Sequence, residues 1–262
     1  MKSKFFLILL ILLPFYLYSQ DTVYNVLDKD GLKTGYWKSY YPNGKLRYLG
    51  YFIKGKPAGQ MKKYYSGGLL HADMIFDQTG TRSLVKLYNL QGKLIAEGKY
   101  IEKSKDSTWN YYSSYDGRLA MRENFINGKK EGPTYKYYSN RQPSEMLEWK
   151  NDAEHGKWEQ YYENGNIRLI CSYKEGKRSG KFKSYNPEGI PSVTGEYKDG
   201  VMHGKWTFYN DEGGEEYHLV YVNGNMLPNK EYDKRVEEIS KKIEEAAEKA
   251  GVAPGEFDIE PF

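Results

Sequence analysis

From Gly35 onward the chain repeats itself about every 24 residues, and that repeat constrains its fold more than any other feature. Units open at Gly35, Gly59, Ser83, Ser107, Gly132, Gly156, Gly180 and Gly204. One step is a residue longer than the rest, near Asp116-Gly117. The sixth place of every unit is a tyrosine: Tyr40, Tyr64, Tyr88, Tyr112, Tyr137, Tyr161, Tyr185 and Tyr209. The third place holds Trp37, Met61, Val85, Trp109, Thr134, Trp158, Phe182 and Trp206. A second aromatic column closes the units: Phe52, Phe76, Tyr100, Phe125, Trp149, Tyr173, Tyr197 and Tyr221.

Turn residues separate these columns. Asn43-Gly44, Gln91-Gly92, Asp116-Gly117, Asn164-Gly165 and Glu188-Gly189 stand mid-unit, and Asn127-Gly128, Asp199-Gly200 and Asn223-Gly224 stand near unit ends. Asn-Gly and Asp-Gly supply the positive φ angles of tight hairpin turns. Each unit therefore reads strand, turn, strand, turn, with strands over 35–41 and 46–53 in the first. Strands joined by short turns pair antiparallel with their sequence neighbours. The expected fold is an all-β repeat: eight hairpin units in one elongated antiparallel meander of about sixteen strands, roughly 75 Å long. Trp37, Tyr40, Tyr64, Tyr88, Tyr112, Tyr137, Trp158, Tyr161, Tyr185, Trp206 and Tyr209 are the expected repeat core. Trp37 and Tyr40, three residues apart, point to opposite faces of a regular strand. Either both faces carry aromatics, or a bulge near the tyrosine turns it inward.

The pattern G-x-W-x-x-Y-Y-x-N-G, followed by an aliphatic residue, an aromatic and another Gly, resembles MORN repeats. It is most similar to the bacterial MORN-variant repeat of the YwqK-type antitoxin family. Units one and six (GKWEQYYENGNIRLICSYKEGKRS) match best. Unit three lacks the opening Gly and the Trp, and unit five carries Arg141-Gln142-Pro143 in place of the turn glycine. Those two units are expected to be distorted. The resemblance implies the repeat fold and, through the family's label, a neutraliser of a protein toxin.

The ends differ from the repeats. Lys2 and Lys4, the apolar run Phe5 to Leu13 and the small residue Ser19 read as a signal peptide over residues 1–19. The expected location is then periplasmic or at the cell surface, with no stable membrane insertion once the peptide is cut. Residues 20–34 read as a leading strand that caps the first edge, 35–227 as the repeats, 228–250 as a helix and 251–262 as a tail. In the helix, Val236, Ile239, Ile243, Ala246 and Ala250 fall on one face. It is expected to cap the last repeat and hide its open edge. Phe257, Ile259 and Phe262 give the acidic tail means to dock.

Chemistry is sparse in this sequence. His155 and His203 immediately precede an opening Gly and read as solvated turn residues. They lie two repeats apart, roughly 20 Å, too far to share a metal. Cys171 lies where other units hold Gly50, Met74, Gly98, Leu147, Gly195 or Leu219, so it reads as a buried, inert thiol. No nucleotide-binding fingerprint and no carboxylate pair suited to acid–base work stands out. No enzyme activity, cofactor or metal is expected. Without Lys2 and Lys4 the net charge is 37 − 35 = +2, which argues against nucleic acid as partner. The expected function is an exported binding or scaffold module acting through an aromatic sheet surface. Its partner would be a protein, with an envelope glycan as the other reading. Tyr41, Tyr65, Tyr138 and Tyr162, each second in a tyrosine pair, are the candidate binding surface, because a tyrosine offers rigid contact area with a polar tip. The alternative is an antitoxin or immunity-type inhibitor of a protein toxin.

Overall fold

The computed structural model describes residues 22–250. The expected signal peptide over residues 1–19 and the tail 251–262, with Phe257, Ile259 and Phe262, lie outside the described residues. Within them the chain forms one 19-stranded antiparallel meander followed by a helix, Lys230–Ala250. Sixteen strands are the two arms of the eight hairpins, and the other three are two residues long: Val26–Leu27, Lys129–Lys130 and Asn225–Met226. The first hairpin pairs Lys33–Tyr40 with Leu46–Ile53.

The cross-strand register shows where the core lies. The third residue of each unit faces the middle of its own second strand: Trp37 faces Gly50, Met61 faces Met74, Val85 faces Gly98 and Trp109 faces Glu123. Thr134 faces Leu147, Trp158 faces Cys171, Phe182 faces Gly195 and Trp206 faces Leu219. These residues form a row across one face of the sheet. Phe52, Ala72, Ala96 and Phe125 flank it in the N-terminal half and complete a buried cluster with Met61, Met74, Val85 and Trp109. A single layer has no second sheet to cover its core, so wide indoles lie flat over neighbours that lack a side chain. Trp109 and Cys171 are both 0% exposed. A Cβ on Gly98 would stand 2.3 Å from Cδ2 of Trp109.

The aromatic spacing has a definite answer. All eight hairpins slip register at the repeated tyrosine, between Ser39 and Tyr40 in the first and between Phe208 and Tyr209 in the last. The extra residue lies on the opposing strand, as Arg47 between Leu46 and Tyr48. The tyrosine is therefore not turned into the core. Tyr161 donates its hydroxyl to Glu159, two residues earlier on the same face, at 2.6 Å. Of the expected core, Trp206 is buried, Trp37 and Trp158 are half-buried, and Tyr40 is 51% exposed. Tyr64, Tyr88, Tyr112, Tyr137, Tyr161, Tyr185 and Tyr209 are half-buried. These tyrosines belong to the opposite face, because the bulge spares their own strand its change of phase.

Units three and five keep their form. Slips between hairpins occur where a unit opens on a residue of positive φ, such as Gly59 or Ser107 (φ 59°). Ser83 of unit three has no such angle, and its strand pairs with the preceding one without a slip. In unit five Arg141 adopts the turn glycine's left-handed conformation (φ 72°), and the turn closes with Tyr138 N–H on Gln142 O at 2.9 Å. A side chain costs about 1–2 kcal/mol in that region. Arg141→Gly should accordingly stabilise the chain by about 1 kcal/mol after the entropy of the extra glycine is subtracted. Urea unfolding checks this, and an unchanged or lower midpoint goes against it.

Both edges are covered by local chain. At the first, Val26 pairs with Thr34, Asn25 N–H donates to Tyr36 O (2.9 Å), and Lys38 N–H donates to the Asn25 side chain (2.9 Å). At the last, Leu227 N–H donates to Val220 O (2.8 Å) and Asn229 Nδ2 to His218 O (3.0 Å). Asn229 also caps the helix, accepting from the N–H groups of Glu231 and Tyr232 (3.1 Å each). Capping contacts come from the helix's first turns. The Tyr232 ring lies 5.7 Å from that of Tyr217, and Arg235 stacks on Tyr217 and pairs with Glu216. Val236, Ile239 and Ile243 stay exposed, so the apolar stripe is not laid on the sheet.

Candidate interaction surfaces

The four candidate tyrosines hold the repeats together. Tyr41 donates its hydroxyl to Tyr64 O (2.8 Å), Tyr65 to Tyr88 O (2.8 Å), Tyr138 to Tyr161 O (2.7 Å) and Tyr162 to Tyr185 O (2.8 Å). Each bond runs 23 residues forward into the next hairpin, and all four tyrosines are half-buried. Where the position is Asn or Ser, the side chain turns back onto its own turn. Asn89 accepts from Gln91 and Lys93 N–H groups, and Asn186 from Glu188 and Ile190. The variation that suggested a free surface is a choice between tying forward and closing the local turn. Tyr→Phe at 41, 65, 138 or 162 should each cost about 1 kcal/mol, since a partly buried carbonyl loses its donor. A urea series over the single variants checks this, and no loss at any of the four would refute the tie.

A second motif escaped the sequence reading. The position two residues before each unit's opening holds a cation in units one, four, five and seven: Lys33, Lys105, Lys130 and Arg178. All four lie over aromatic rings. Lys33 Nζ is 4.6 Å from the Trp37 ring and 5.1 Å from Phe52, and Lys105 Nζ is 4.8 Å from Trp109 and 5.0 Å from Phe125. Lys130 covers Trp149, and Arg178 covers Trp158 and Tyr197. The cations serve as lids on the open side of the core. Burial pulls the Lys105 ammonium below the usual lysine range.

Several other titratable groups are tuned by burial or by a structural partner. Burial pushes the Cys171 thiol up, away from the reactive thiolate. Burial and the Glu159 carboxylate raise the Tyr161 phenol to about 12. His155 and His203 are half-buried strand residues, not turn residues, because the strand runs through the opening glycine. Among the described residues no group of three or more His, Cys, Asp or Glu side chains could hold a metal ion, and no helix is long and apolar enough to cross a membrane.

Grooves occur at several places on the sheet, including one of about 640 Å³ lined by Ile75, Leu84 and Glu97 and one of about 610 Å³ between Tyr217 and the helix; the two in the first two hairpins differ from these in their charge. A groove of about 640 Å³ runs beside the core row, lined by Lys33, Arg47, Lys63, His71, Tyr41, Tyr48 and Tyr64 among others. The lining contains no acid. On the other face a groove of about 370 Å³ is lined by Tyr36, Tyr51, Gln60 and Lys62. Tyr36 is 49% exposed, and farther along the same face Ile75 and Leu84 are 56% and 61% exposed. Every ion pair among the described residues involves Lys99 or residues after it. Residues 31–76 hold eight Lys and Arg against one acid, Asp73, a local charge of 8 − 1 = +7. The near-neutral total conceals this, and summing charge unit by unit would have shown it.

The repeat geometry now has an external counterpart. The MORN repeat variant matches residues 33–54 and 154–175, the first and sixth hairpins. Two hairpins of this chain are MORN variants. The other six share the period, the bulge and the tyrosine of the two matched MORN units. No curated protein matches the chain. Among solved structures, alternansucrase in complex with isomaltononaose aligns at 16% identity with a TM-score of 0.12. The alignment covers 74% of this chain and 18% of that one, a likeness too slight to bear on this sheet.

Proposed function

We propose that this protein is a non-enzymatic binding module of the cell envelope, exported by its N-terminal segment. A repeated β-meander of MORN-variant hairpins suits a binding or scaffold role, since each unit adds surface without adding a new core. The single observation that carries the reading is the first pair of hairpins, where cations without a carboxylate partner line grooves on both faces and the exposed Tyr36 and Tyr51 line one of them. The capped edges favour contact through faces and not by strand addition. The proposal assigns no catalysis, and three of the perturbed groups, Cys171, Lys105 and Tyr161, are engaged in packing or in a bond within the sheet. The test is a crosslinked pull-down of the protein from its own envelope, read by mass spectrometry. A dominant envelope partner, protein or glycan, is the expected result. Recovery only with cytoplasmic proteins, or turnover of an envelope substrate, would overturn the proposal.

A further inference from the structure

We propose that the first two hairpins bind an acidic glycan, a linear sugar polymer carrying carboxylate or phosphate groups. This deepens the binding-module reading and rests on it. The cations of residues 31–76 are not spent on carboxylates within the described chain, unlike the paired cations from Lys99 onward. Lys33, Arg47 and Lys63 line the groove on the core side, and Lys62 lines the groove on the other face. Lys38 lies over the Tyr24 ring at 4.2 Å, and Arg47 over Tyr41 at 5.9 Å. A sheet one layer thick thus presents positive charge on both sides. A flat lipid surface meets one side only, whereas a flexible chain can pass around the sheet. Adjacent hairpins repeat the charge about every 10 Å, which suits a polymer with periodic anions. Tyrosine supplies the second half of the recognition. Exposed rings such as Tyr36 give a sugar's C–H face a flat apolar plane, with a hydroxyl at the rim for hydrogen bonding.

The experiment measures binding of the purified full chain to polygalacturonate and to its fully methyl-esterified form, which keeps the backbone and loses the charge. Polygalacturonate should bind about tenfold tighter or more, with affinity falling as salt rises. Reversing Arg47→Glu with Lys63→Glu should weaken it by about tenfold, and so should Lys38→Glu with Lys62→Glu on the other face. Lys181→Glu with Lys183→Glu, in the seventh hairpin, should stay within about twofold. Two separate pairs keep the test sound if one variant fails to fold, which circular dichroism reads. Equal binding of the ester overturns the proposal, as does indifference of both head pairs. Stronger binding to oligo-dT or to anionic vesicles at the same salt also overturns it and assigns the patch to another polyanion. Loss of glycan binding alongside a retained envelope protein partner would remove this inference and leave the binding-module reading standing.

Discussion

Gly98→Ala should destabilise the sheet by about 3 kcal/mol, at the upper end of the usual cost of overpacking. The added carbon would lie 2.3 Å from Trp109 Cδ2, 2.4 Å from Cε2 and 2.6 Å from Cγ. No flexible side-chain end is available to give way, because the obstacle is the body of a fully buried indole. Tyr100 holds the indole at 4.9 Å between centroids, Lys105 covers it, and its N–H donates to Lys99 O at 3.0 Å. In a two-layer protein a second sheet could shift to absorb the strain. Here the flat indole is itself the outer layer of the core. A double-mutant cycle isolates the effect: on a Trp109→Leu background, Gly98→Ala should cost less than about 1 kcal/mol. Urea unfolding of the four proteins gives the answer, and an equal cost on both backgrounds would refute this packing. Gly195 under Trp206, at 2.2 Å, should behave alike.

The second large effect lies at the junction of units four and five. Glu123 occupies the core row between units four and five and is buried. Its carboxylate meets Lys130 Nζ at 2.6 Å across the junction, and Lys105 Nζ bonds the Tyr111 hydroxyl at 2.7 Å beside it. Burial, followed by the neighbouring Glu123 carboxylate, drives the Tyr111 phenol well above the ordinary tyrosine range. The backbone ladder is thin at this junction, with Tyr135 opposite Arg122, Lys136 opposite Met121, and the short Lys129–Lys130 strand. Polar side chains fill in: Asn124 Nδ2 donates to Pro133 O at 2.7 Å, and Lys130 N–H to Asp152 at 2.7 Å. Glu123→Ala strands a lysine and a phenol over the core and should cost about 3 kcal/mol, less than a fully sealed pair because Lys130 is partly exposed. Glu123→Leu with Lys130→Met restores the apolar row and should recover to within about 1 kcal/mol of the parent. Thermal and urea midpoints decide, and a double variant as unstable as Glu123→Ala would refute the account.

Much of this architecture was legible from periodicity. Eight hairpins and their turns follow from the spacing of Tyr, Trp and Asn-Gly, because short turns leave a strand no neighbour but the next, and the C-terminal helix follows from the three-four spacing of Val236, Ile239 and Ile243. The side chains were less legible. A tyrosine present in every unit reads as core, yet the bulge places the extra residue on the facing strand and leaves Tyr40 on the open face. The tyrosine pairs read as surface, yet Tyr41 and Tyr162 spend their hydroxyls on the next repeat, a contact between hairpins that a single unit does not display. Glu123 was hidden because one acid in a column of Gly, Met and Leu looks like an exception until Lys130 is found across the junction. The basic first hairpins were lost in an average, since whole-chain charge cancels what one unit concentrates. The envelope assignment rests on the charge and apolar run of residues 1–19 alone.

Hydrogen exchange read by mass spectrometry, on the full chain alone and bound to its own envelope fraction, tests the central claim most directly. A partner held by the first two hairpins should slow exchange across residues 33–76 and leave residues 177–222 unchanged. Protection confined to the last hairpins or the helix, or none anywhere despite retention on the envelope, would contradict it.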